Sequence, residues 1–165
     1  MNFEDVRQRV EAALKKLRKQ DSFLIDANTN ERTISHKLAE YLQEVFPDWN
    51  VDCEYNRHGY DVKKLKNIVV PNDDIGRNET EAKTIFPDIV VHARNNDENN
   101  LLVIEVKKSS NAESRQVDKD KLVALTREEY RYRFGLLLEI SMNQTVDVLE
   151  WYASGEVSYE QKNQL

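Results

Sequence analysis

The sequence predicts an α/β domain. Two segments near the N-terminus carry apolar residues at helical spacing, two β-branched apolar runs lie mid-chain, and another helical segment leads to a further apolar run. A length of 165 residues suits one domain, 1–165, with a sizeable core.

Residues 3 to about 19 read as a helix, with Val6, Val10, Ala13, Leu14 and Leu17 on one stripe. This N-terminal helix (1–20) precedes the main core and serves either as a packing element or as a dimer surface. Asp26 to Asn30 is a polar break rich in N-cap residues. A second helix spans about Glu31 to Val45, with Ile34, Leu38, Leu42 and Val45 inward and Pro47 ending it. Glu31 continues that inward stripe. It is either an acid favoured in the first turn by the helix dipole or a functional group. His36 lies roughly opposite the stripe and is read as facing solvent.

Trp49 to Asn56 reads as the first strand, with Val51, Cys53 and Tyr55 alternating against Asp52, Glu54 and Asn56. Between Arg57 and Lys83 the pattern weakens. Ile68-Val69-Val70 suggests a short strand, and Pro71 to Gly76 a loop. Phe86 to Ala93 reads as a strand, Asn95 to Asn100 as a turn, and Leu101 to Lys107 as the returning strand. A helix follows from about Ser114 to Tyr130, with Val117, Leu122 and Leu125 apolar. Tyr132 to Ser141 is the fourth strand, and Thr145 to Tyr152 a last one in a C-terminal extension, 142–165.

Chemistry concentrates in the central hairpin. If it folds about Asn96 or Asp97, Asp88 lies opposite residues 105–107. Side chains alternate along a strand, so Glu105 and Lys107 share one face and Val106 takes the other. Asp88, Glu105 and Lys107 then converge. Strands apolar on both faces are usually buried on both. An unpartnered carboxylate there costs on the order of several kcal/mol. A divalent cation would offset that cost, and hard oxygen ligands suit Mg²⁺ or Mn²⁺ better than Zn²⁺. The plainer alternative is an ordinary salt bridge around Lys107.

Pro87-Asp88 followed by Glu105-Val106-Lys107 resembles the signature of the PD-(D/E)XK phosphodiesterase superfamily, the restriction-endonuclease-like fold. The resemblance covers about residues 31–141. It implies an αβββαβ core with a central mixed β-sheet flanked by helices, here with an extra N-terminal helix and a C-terminal strand. It implies Mg²⁺ or Mn²⁺ held by Asp88, Glu105 and the Val106 carbonyl, with Glu31 contributing to the metal site. Lys107 would orient water, help deprotonate it or stabilise developing charge. Lys121 lies near the inner stripe of its helix. It either contacts the substrate phosphate, as some branches of the family suggest, or snorkels.

The implied activity is metal-dependent hydrolysis of DNA phosphodiesters, in restriction, repair, defence or a mobile element. The alternative is a non-catalytic nuclease-like module that binds nucleic acid or protein in a larger complex. Many enzymes of this fold act as dimers, so a homodimer or partner protein is a further expectation.

Composition constrains the rest. The net charge of −6 does not advertise nucleic-acid binding. Local basic stretches soften that objection: Lys63-Lys64-Leu65-Lys66 with Arg57, and Arg127, Arg131 and Arg133 interleaved with Tyr130 and Tyr132. The four glycines are scattered, so no phosphate-cradling loop is evident. The three histidines show no ligand spacing, and His92 shares the alternation phase of Asp88. The single Cys53 excludes an internal disulfide. No apolar stretch approaches the ~18 residues of a membrane span, and a cytoplasmic location is the expectation.

Overall fold

The computed structural model describes residues 1–55, 57–58, 61–62, 64–65, 83–94, 99–112, 114–127, 130–141 and 146–164. The elements are α1 (Phe3–Gln20), α2 (Ser22–Asp26), α3 (Glu31–Val45), β1 (Asn50–Cys53), β2 (Arg57–His58), β3 (Asp61–Val62), β4 (Lys64–Leu65), β5 (Lys83–Thr84), β6 (Ile89–His92), β7 (Asn100–Lys108), α4 (Gln116–Leu125), β8 (Phe134–Ile140), β9 (Val146–Ala153) and β10 (Glu156–Gln164). A six-stranded mixed sheet, in the order β1-β6-β7-β8-β9-β10, forms the centre. β1, β6 and β7 pair antiparallel in turn, β8 lies parallel to β7 after the α4 crossover, and β9 and β10 return antiparallel.

The two helical stripes end up on one sheet face. Val6, Val10, Ala13, Leu14 and Leu17 of α1 join Ile34, Leu38 and Leu42 of α3 over Ile89, Val91, Leu102, Ile104 and Val106. Each fully buried Val or Leu contributes on the order of 1.5–3 kcal/mol. The apolar stripe of α1 is therefore spent on the core, and none of it remains for a dimer contact. Both helices start on side-chain caps. Asn2 and Asp5 form a reciprocal capping box, and Asn30 accepts from the Arg32 amide.

On the opposite face, Leu122 and Leu125 of α4, with Tyr130 and Tyr132, cover Val90, Val103, Leu137 and Tyr152. Helices on both faces explain why β7 reads as an almost unbroken apolar run.

Several expectations change. The first strand is shorter than Trp49–Asn56, because Glu54 adopts φ +50° and breaks the alternation. Val51 packs with the α1/α3 layer, whereas Tyr55 packs with the α4 layer. The helix expected to Tyr130 stops at Leu125, and Tyr130 and Tyr132 instead enter the core from the segment beyond it. The C-terminal extension holds two strands rather than one, and the short helix α2 lies between the first helix and the polar break before Glu31. The turn at Asn96–Asp97 and the strand at Ile68–Val70 lie outside the described residues. Among the described residues, no helix is long and apolar enough to cross a membrane.

Candidate functional site

Register brings the first two acids together. Ile89 pairs with Ile104, so Asp88, one residue before β6, stands beside the Glu105–Val106 step of β7. Asp88 Oδ2 accepts from the Val106 amide at 2.7 Å. A residue's N–H and C=O point to the same side of a strand, so the Val106 carbonyl faces that side too. Two residues on, the Lys108 amide donates to Glu31 Oε1 at 2.9 Å. These two carboxylates cap the backbone of β7 where β6 has ended.

Glu105 faces α4, in phase with Val103, and is 1 % exposed. Its Oε2 accepts from Lys121 Nζ at 3.0 Å, whereas Oε1 is buried and has no hydrogen-bond partner among the described residues. Burial pushes the Glu105 carboxyl well above its ordinary range, and the nearby Asp88 charge adds to this against the pull of Lys121. Asp88 is raised as well, mainly by burial, with the Val106 amide, Lys121 and Lys107 opposing.

Asp118 of α4 completes the cluster at 5 % exposure. Its Oδ2 lies 3.3 Å from Lys107 Nζ and its Oδ1 3.3 Å from Lys121 Nζ. Burial pulls the Lys107 ammonium down, but Asp118, Glu31 and Asp88 outweigh it, and the net shift is upward. Lys121 behaves alike: burial is outweighed by Glu105, Asp118 and Asp88. Both lysines are thus held as cations.

Of the expected residues, Asp88, Glu105, Val106, Lys107 and Lys121 meet around one end of β7. Lys121 does not snorkel; its ammonium turns inward to Glu105 and Asp118. Glu31 reaches the same strand end, but its Oε1 is taken by the Lys108 amide and by Asn111 Nδ2 at 3.0 Å. Its charge reaches Lys107 without direct pairing. Asp118 was not singled out in the sequence. The signal was its spacing, since Asp118, Leu122 and Leu125 are the buried residues of α4.

The remaining candidates separate from this cluster. His92 of β6 is buried beside the edge strand β1, its Nε2 2.9 Å from Asp52 Oδ2 and its ring edge-on to Tyr55. Arg94 pairs with the same Asp52 and holds its carboxyl below the usual range, with burial opposing. In the second basic stretch, Arg127, Arg131 and Arg133 are exposed while Tyr130 and Tyr132 belong to the core. The side chains of the first stretch lie outside the described residues.

Among the described residues, no group of three or more His, Cys, Asp and Glu side chains is already arranged as metal ligands. Two carboxylates and a backbone carbonyl fall short of that number. They still fit Mg²⁺, which commonly takes one or two carboxylates and keeps several waters. The buried Glu105 Oε1, unpartnered among the described residues, supplies an oxygen ligand. No family model, curated protein or solved structure matches this chain.

Proposed function

We propose that this chain is a metal-dependent phosphodiesterase that cleaves DNA, built on a restriction-endonuclease-like core. The order of elements around the main sheet supports the reading: a helix, three antiparallel strands with the short β2–β5 between the first and second, a helix, and a strand parallel to the third. That is the order implied by the resemblance around Pro87-Asp88 and Glu105-Val106-Lys107. The observation that carries the proposal is Glu105, a buried carboxylate with one oxygen unpartnered beside a second carboxylate.

Asp88, Glu105 and the Val106 carbonyl would hold Mg²⁺ or Mn²⁺. Such a cation supplies charge neutralisation at the phosphate and a more acidic water. Lys107, kept protonated beside Asp118, suits stabilisation of charge on the phosphate oxygens better than proton abstraction. Glu31 anchors the end of β7 through the Lys108 amide and so fixes the strand that carries Glu105 and Lys107.

The second reading is a nuclease-like module without catalysis. It is favoured by the pairing of both lysines with Asp118 and by the net charge of −6. Incubation of single- and double-stranded DNA with Mg²⁺ or Mn²⁺ tests the choice. Cleavage by the wild type that falls by about 10²-fold or more in Lys107→Ala and Asp88→Asn supports the enzyme. Cleavage that persists in both variants, or none by the wild type, rejects it.

A further inference from the structure

We propose that Lys121 is the resident counter-ion of Glu105, and that Asp118 takes it over when a divalent cation binds at Glu105 and Asp88. The inference rests on the metal-dependent reading above and adds a positioning role for two residues on α4.

Three observations carry it. Lys121 Nζ already bridges two acids, 3.0 Å from Glu105 Oε2 and 3.3 Å from Asp118 Oδ1. Asp118 is buried and engages Lys107 with its other oxygen, so it is a fixed acceptor and not a mobile surface acid. Glu105 has one oxygen on Lys121 and the other without a partner. The carboxylate is thus half-satisfied, with one oxygen left to take a further cationic partner.

A handover follows from the chemistry of the groups. An ammonium carries three donors on a flexible stem and can weaken one contact while keeping another. When Glu105 gives its charge to a divalent cation, the cation and Lys121 repel across a poorly screened interior. Lys121 can move onto Asp118 without leaving any charge unpaired. Without Asp118 its remaining ion-pair partner among the described residues is Glu105, and it would stay there and compete. Three carboxyl groups, Asp88, Glu105 and Asp118, lie around two ammoniums, Lys107 and Lys121, and the Glu31 charge also reaches Lys107, so a divalent cation enters a cluster with acids in excess.

The test is calorimetric titration of Mn²⁺ into the full chain without nucleic acid. The proteins are wild type, Lys121→Met, Asp118→Asn and the double variant. Lys121→Met is expected to bind Mn²⁺ about tenfold more tightly than wild type, and Asp118→Asn about tenfold more weakly. The double variant should match Lys121→Met within about twofold, because Asp118 acts through Lys121. Additive shifts, with the double variant returned to the wild-type affinity, would mean a simple field effect and overturn the handover. So would a Lys121→Met protein that binds no more tightly. Lys121→Gln, checked for folding by circular dichroism, repeats the comparison where Met disturbs packing. If the wild type binds no Mn²⁺, or binds it unchanged after Asp88→Asn, the metal-dependent reading itself fails.

Discussion

Glu105→Gln removes an ionisable group from the interior while keeping the shape of the side chain. Glu105 is 1 % exposed, with Oε2 on Lys121 and Oε1 unpartnered. An unsatisfied buried polar atom costs about 1–3 kcal/mol, and more when charged. The Gln amide keeps an oxygen for Lys121 and carries no charge, so the metal-free variant gains about 1–3 kcal/mol at pH 8. For a chain of 165 residues that is a rise in Tm of about 2–12 °C. The effect has a pH signature. Burial, then Asp88, raises the native carboxyl well above its ordinary 4.5. Between those two values the native state binds the proton more tightly than the unfolded chain, so wild-type stability falls as pH rises through that window. The advantage of the variant is therefore small near pH 5 and widens towards pH 8. Thermal melts in EDTA from pH 5 to 9 read it directly. Added Mn²⁺ should then raise the Tm of the wild type and leave the variant unmoved. A variant that melts below wild type at pH 8 would refute the reasoning, because the Glu105–Lys121 pair would then be net stabilising on its own.

Two further predictions concern the scaffold. Asp147 is fully buried and accepts from the Ser141 amide at 2.9 Å and from Arg18 Nε at 3.0 Å, so Asp147→Ala strands both donors. The expected loss is about 3 kcal/mol in urea unfolding, and a loss below about 1 kcal/mol would contradict it. At Gly135 a methyl group would meet Thr126 Cγ2 and Tyr152 Cβ at 3.1 Å and Leu122 Cδ2 at 3.3 Å. Gly135→Ala is expected to cost about 1–3 kcal/mol by overpacking, measured as a lower urea midpoint with an unchanged slope.

The layers were legible where the pattern is long. The stripes Val6–Leu17 and Ile34–Leu42 marked the two helices of one face, and the run Leu101–Val106 marked a strand covered on both sides. Asp88 and Glu105 stood out because acids interrupt apolar strands there. The losses have local causes. Glu54 takes a left-handed conformation without a glycine to announce it, and so flips Tyr55 to the other face. β10 was missed because Glu156 to Gln164 is mostly polar and lies at the edge of the sheet, with Val157 and Tyr159 exposed. α2 has five residues, too few for a helical period. Asp118 was passed over because an acid on a helix reads as solvated. Only the packing of α4 on the sheet reveals that it clamps two lysines.

The central claim is that Asp88 and Glu105 hold a divalent cation at the end of β7. Crystals grown with Mn²⁺ test it through anomalous scattering at the manganese edge. A peak is expected, bounded by Asp88, the Glu105 Oε1 side and the Val106 carbonyl. No peak there at saturating Mn²⁺, with Glu105 still held by Lys121 alone, would contradict it and leave these acids as structural groups.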